Sequence, residues 1–204
     1  FALKRSELTL SKIILILGGA RSGKSAFAEE VAKKLGEDNV TYLATAQALD
    51  AEMEERILHH KERRSSKWQT IEEPLYLNKA FENIDEGKTV LLDCLTLYIS
   101  NRILQAQEEN QKENLEKDII NDIKNIIMTA YKKDLNLIIV SNEVGQGVVP
   151  PHKLGRLFRD IAGRANQFTA RKADHVFYTI AGFPVDIKEI SLNKKEDYLN
   201  NLGE

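Results

Sequence analysis

In the run KIILILGGARSGKSAFAEEVAKKL, residues 12–35, Gly18, Gly23, Lys24 and Ser25 have the types and spacing of the pattern G-x-x-x-x-G-K-[ST]. Successive backbone N–H groups in such a loop form a concave anion site where a helix begins, so phosphate is the expected ligand. Gly18, Gly19 and Gly23 permit the positive φ values and close backbone approach that wrapping a phosphate chain needs. A helix starting near Lys24 adds its positive dipole end. Lys24 brings a mobile charge to the outer phosphates, and Ser25 offers a hydroxyl to a magnesium ion bridging them.

Three other places in the chain could join that chemistry. Asp93 closes an apolar strand, where phosphate-loop enzymes present an acidic residue to magnesium and its waters; such an Asp can also cap a helix. With the phosphate loop present, the metal role is favoured. Asn142 and Glu143 close another strand and either hold substrate or cap the following turn. His59 and His60 lie in a helical pattern in which Leu49, Met53, Ile57 and His60 share one stripe, while Glu52, Arg56, His59 and Arg63 share another. His60 thus continues the inward side. An imidazole there is either a satisfied structural group or, beside a nucleoside triphosphate, a neutral nitrogen nucleophile able to form a phosphoramidate. Lys61, Arg63 and Arg64 could neutralise a triphosphate or departing pyrophosphate, or form a solvated basic helix end.

These residues need a scaffold that gathers them. Apolar, β-branched runs predict strands at NVTYLAT (39–45), KTVLLDC (88–94), LNLIIVS (135–141) and DHVFYTIAG (174–182), with PVDIKEI as a possible edge strand. With the strand, turn and helix of residues 12–35 ahead of them, helical patterns cover 50–64, a long charged region of about 95–132, and His152 to about Lys172. The stretch holding Trp68, Thr70, Glu72 and Glu73 reads as a short connection closed by Pro74, and NEVGQGVVPP reads as an irregular loop. Strands alternating with helices call for a mostly parallel sheet covered on both faces, a three-layer α/β fold, with ligands beyond the carboxyl ends of the strands. The expected organisation is an N-terminal extension (1–11), one domain (12–190) and a polar tail (191–204).

Composition narrows the partners. The chain has 204 residues, 29% of them charged, and a net charge of −2, so no global basic field argues for nucleic acid or an acidic membrane. No window reaches the roughly 18 consecutive apolar residues of a membrane span. Cys94 is the only cysteine, which excludes an internal disulfide framework and suits a reducing cytoplasm. Its plainer reading is a small core residue. A GTP-binding switch is disfavoured because SNEV stands where N/T-K-x-D would be expected, and the near-neutral charge disfavours a nucleic-acid motor.

Taken in order, GGARSGKS, TYLATAQ, RILHHKERRSSKWQTIEEP, DCLTLYISN, SNEVGQGVVP and LFRDIAGRANQ resemble the bifunctional adenosylcobinamide kinase/adenosylcobinamide-phosphate guanylyltransferase family of cobalamin biosynthesis, over about residues 12–188. The resemblance implies a RecA-like P-loop NTPase fold and a cytoplasmic homo-oligomer, a homotrimer with nucleotide between subunits. It also implies two reactions: phosphorylation of adenosylcobinamide by GTP or ATP with Mg2+, then transfer of GMP from GTP to that phosphate through a guanylylated histidine. Matching the H-H pair puts GMP on His60, with Lys24 as the other catalytic group. Nucleotide contacts would fall on the loop Gly18, Gly19, Ala20, Arg21, Ser22, Gly23, Lys24 and Ser25, and on Thr45, Ala46 and Gln47. Lys61, Glu62, Arg63, Arg64, Glu72 and Asp93 would complete them, with Ser25 and Asp93 serving the metal. Pro151 stands where an acidic residue is expected, which bears on how that loop meets the corrinoid. The remaining alternative is a small-molecule or nucleotide kinase without nucleotidyl transfer.

Overall fold

The computed structural model describes residues 11–48, 54–55, 58, 61, 64–109 and 113–191. Seven strands form one sheet: β1 (Ile13–Gly18), β2 (Val40–Ala44), β3 (Gln69–Glu72), β4 (Thr89–Asp93), β5 (Asn136–Asn142), β6 (His175–Ile180) and β7 (Phe183–Asp186). Their spatial order is β3-β2-β4-β5-β1-β6-β7. All neighbours pair parallel except the antiparallel β6–β7 hairpin.

The helices are α1 (Lys24–Gly36), α2 (Leu77–Glu82), α3 (Leu95–Glu108), α4 (Leu115–Lys132), α5 (Lys153–Lys172) and the short α6 (Ile187–Ile190). Residues of β1 alternate between two cores, as a strand buried on both faces must. Ile13, Leu15 and Leu17 enter a large core with α2 to α5, and Ile14 and Ile16 enter a smaller one with Ala28, Val31 and Ala32 of α1. The expected three-layer, mostly parallel α/β architecture is therefore the one observed.

Several boundaries differ from the sequence expectation. The single helical region of 95–132 is two helices, because the polar run around Glu108 to Asn114 offers no apolar stripe to bury; Asn114, at φ 68°, starts the second. The connection at Gln69–Glu72 is a parallel edge strand on β2, hidden from sequence reading because its outward residues are polar and exposed. PVDIKEI divides between β7 and α6, where Asp186 accepts hydrogen bonds from the backbone N–H groups of Lys188 and Glu189 and ends the strand. Of the helix expected over 50–64, Glu54, Glu55, Leu58, Lys61 and Arg64 are described; the first four are helical, whereas Arg64 lies in a bend, so the helix ends before the expected boundary.

Parallel pairing puts the strand ends on one rim. Gly18 is level with Asn142, and Ala44 with Asp93. Trp68 then pins the segment before β3, burying its ring and donating its indole N–H to the Glu37 carbonyl at 2.9 Å.

Candidate functional site

The phosphate loop is built as its residue types require. Gly18 is the buried last residue of β1, Arg21 takes φ 55°, and Gly23, at φ 91°, is the N-cap of α1. No side chain caps α1 and no acidic residue lies in its first turn, so its orphan N–H groups and dipole face an incoming anion without competition. The turn is closed by Ser22 N–H to Gly19 O at 3.3 Å and braced by Gly182 N–H to Ser22 O at 2.8 Å. A Cβ on Gly18 would lie 2.4 Å from Ser22 Oγ and 2.8 Å from Thr179 O. Gly18→Ala is accordingly expected to destabilise the fold by about 1–3 kcal/mol, the usual cost of overpacking, read as a lower urea midpoint.

Lys24 donates its Nζ to Gly19 O at 3.1 Å, folding back over the turn. Burial pulls its ammonium below the ordinary lysine range, against the opposing fields of Cys94 and Asp93. A half-desolvated cation gains more from an arriving phosphate than one in water.

Lys24 and Ser25 open into a cavity of about 580 Å³. Asp93 and Asn142 line its sheet rim, and Ala46, Gln47, Lys61, Arg64 and Glu72 line it from the segments after β2 and around β3. Lys61 pairs with Glu72 at 2.9 Å, an exposed contact that holds little energy by itself. Thr45 is turned away from the cavity: its hydroxyl donates to Cys94 O at 2.7 Å and accepts from Cys94 N–H at 2.9 Å. It thus ties the end of β2 to the segment after β4. Asn101 adds a clamp, donating its amide to both Thr45 O and Pro74 O. His59, His60, Glu62 and Arg63 lie outside the described residues.

The two residues left open at the end of β5 separate. Glu143 accepts from Gly145 N–H at 2.6 Å and caps the turn that follows. Asn142 lines the cavity, with a buried carboxamide oxygen that has no hydrogen-bond partner among the described residues.

Tyr42 is a cavity residue that sequence reading missed. It donates its hydroxyl to Asp93 Oδ2 at 2.9 Å, and the Arg64 guanidinium lies 3.6 Å above its ring. Burial first, then the Asp93 charge, raises its pKa far above the phenol range despite Arg64, so the hydroxyl stays protonated and donates. In sequence Tyr42 was one more apolar residue of a buried strand. The only available signal was its place two residues before the strand end, on the side Ala44 shares.

Cys94 also touches the cavity but is nearly enclosed. Burial and the Asp93 charge push its thiol up to about 11. Iodoacetamide at pH 8 is expected to leave the native thiol unmodified and to alkylate it fully in urea, because the thiolate is the reactive form. Mass spectrometry of the intact chain checks this.

Comparison with known proteins bears on this arrangement. Residues 14–187 match the family described as Cobinamide kinase / cobinamide phosphate guanyltransferase. The Bifunctional adenosylcobalamin biosynthesis protein CobU of Salmonella typhimurium is 39% identical over 86% of this chain and 99% of its own length. That of Escherichia coli is 38% identical over the same shares. The Bifunctional adenosylcobalamin biosynthesis protein CobP of Pseudomonas aeruginosa is 41% identical over 85% of this chain and 96% of its own. Among solved structures, the RadB recombinase overlaps with a TM-score of 0.48 at 13% identity, covering 83% of this chain and 75% of that one. The flagellar accessory protein FlaH of Methanocaldococcus jannaschii overlaps at 0.46 and 18%, covering 86% and 75%.

Proposed function

Since this chain belongs to the Cobinamide kinase / cobinamide phosphate guanyltransferase family, we propose that its cavity serves two phosphorus transfers in turn. In the first, a nucleoside triphosphate, GTP or ATP, phosphorylates the aminopropanol hydroxyl of adenosylcobinamide. In the second, His60 attacks the α-phosphorus of GTP. The bond from that phosphorus to the bridging oxygen breaks, pyrophosphate leaves, and GMP remains on the ring as a phosphoramidate. An oxygen of cobinamide phosphate then displaces the histidine, yielding adenosyl-GDP-cobinamide and the free imidazole. Splitting the transfer replaces one difficult displacement by two easier ones.

The observation that carries this reading is the sharing of one cavity by two sets of groups. Lys24 and Ser25 of the phosphate loop line it together with Lys61 and Arg64, and Lys61 is the residue that follows His60 in the chain. In the kinase step Lys24 balances charge on the transferred phosphoryl group. In the nucleotidyl step Lys61 and Arg64 balance the departing pyrophosphate.

Ser25 and Asp93 suit magnesium. Both line the cavity, and among the described residues no three His, Cys, Asp or Glu side chains converge as an all-protein cage. Magnesium prefers one or two protein oxygens, completed by water and phosphate. When bound there it would neutralise charge shared between neighbouring phosphates. The working form in this reading is a cytoplasmic homotrimer, as the resemblance implies, and sedimentation equilibrium is expected to give three times the chain mass. Among the described residues no helix is long and apolar enough to cross a membrane.

The deciding experiment incubates the protein with GTP labelled at the α-phosphate, denatures it and follows retained label. Label that survives alkali and is lost in acid is the expected result, since a phosphoramidate has that lability. Absence of retained label under conditions where the γ-phosphoryl group is still transferred reduces the protein to a kinase.

A further inference from the structure

The two sides of the cavity are joined by one side chain that belongs to neither. Tyr42 is 4% exposed, packed in the smaller core between the sheet and α1. From β2 it reaches diagonally across the parallel pair, since its level partner on β4 is Leu91 and Asp93 lies two residues further on. Long aromatic side chains bridge such diagonals. Its hydroxyl holds one oxygen of Asp93, and the face of its ring carries Arg64.

Resting on the functional reading above, we infer that Tyr42 is a positioning residue that orients the Asp93 carboxylate and the Arg64 guanidinium on one rigid ring, and so sets how strongly magnesium assists nucleotide binding. A carboxylate at a strand end has rotamers to choose from, and a hydrogen bond to one oxygen selects among them. Partners of that kind around metal-binding carboxylates change metal affinity typically by about 10–100-fold. The ring contributes separately, because a planar guanidinium over an aromatic face is oriented as well as held. Tyr42 touches neither reacting phosphorus nor leaving group in this assignment. It acts through its two neighbours.

The test separates the hydroxyl from the ring. Tyr42→Phe keeps the ring and its volume and deletes only the bond to Asp93; Tyr42→Leu removes the platform under Arg64 as well. Affinity for a fluorescent GDP analogue is titrated with and without magnesium, and transfer of the γ-phosphoryl group is measured against magnesium concentration. For Tyr42→Phe the gain in affinity due to magnesium is expected to shrink about tenfold, with magnesium-free affinity unchanged and kcat recovering as magnesium is raised. For Tyr42→Leu, magnesium-free affinity is expected to fall as well, by about threefold or more, because Arg64 loses its support. Circular-dichroism melts accompany both, and if Tyr42→Leu does not fold, Tyr42→Phe carries the decision. A magnesium gain in Tyr42→Phe equal to that of the wild type overturns the inference, as does a kcat loss that magnesium cannot restore. Wild-type protein that binds the analogue but transfers neither group overturns the functional reading alone, and the binding comparison still decides on Tyr42.

Discussion

His60→Ala is expected to abolish the acid-labile label from α-labelled GTP and to lower GMP transfer by more than about a thousandfold, as loss of a covalent nucleophile does. Transfer of the γ-phosphoryl group to cobinamide should remain within about threefold of the wild type, because no covalent histidine takes part in the loose, charge-stabilised phosphoryl transfer. The split is the diagnostic feature. A residue that merely supported the fold would depress both reactions together. His59→Ala serves as the partner control and should retain the label, since the helical period turns it to the stripe of Glu52, Arg56 and Arg63 rather than that of Ile57. Label lost in His59→Ala and kept in His60→Ala would transfer the role to the neighbouring ring. Label lost in neither would place the covalent intermediate on a group outside this pair.

Lys24→Ala is expected to damage both reactions, with kcat falling by about 10²–10³, the cost of removing a preorganised group that stabilises developing charge. Lys24 is half-buried, its ammonium pulled below the ordinary range by burial, and it lines the cavity between the phosphate loop and Asp93. A charge in that setting interacts with phosphate at a lower effective dielectric than bulk water offers. Lys24→Arg should recover little, because a flat five-donor fork cannot replace a compact ammonium folded against Gly19 O. Steady-state kinetics of both reactions, with thermal melts to confirm folding, measure this. An intact kinase reaction in Lys24→Ala would show that phosphate charge is balanced elsewhere.

The two predictions draw on different kinds of information. The phosphate loop was legible because its signal is local: the glycines at 18 and 23 are demanded by a close approach to Ser22 and Thr179 and by a φ of 91°, and only residue type is needed to see them. The strands Ile13–Gly18, Thr89–Asp93 and Asn136–Asn142 were legible for a related reason, since central parallel strands are buried on both faces and read as continuous apolar runs. The edge strand Gln69–Glu72 was not, because three of its four residues face solvent and carry no such run. The break between Glu108 and Leu115 was missed because charged helices and charged connections share a composition.

The strand-turn-helix that receives phosphate and the alternation that makes a parallel sheet are thus written in the order of residue types alone. Each of these is encoded within a dozen or so neighbouring residues by glycine conformation and hydrophobic period. Which distant groups meet is a property of the folded chain: Thr45 turns inward to Cys94 while Ala46 and Gln47 face the cavity, Glu143 caps a turn while Asn142 lines the wall, and Tyr42 stands between Asp93 and Arg64. These follow from strand order and register, and a shift of one residue in register exchanges the faces of a whole strand. No local pattern carries that choice, because it is made by the packing of all the layers at once.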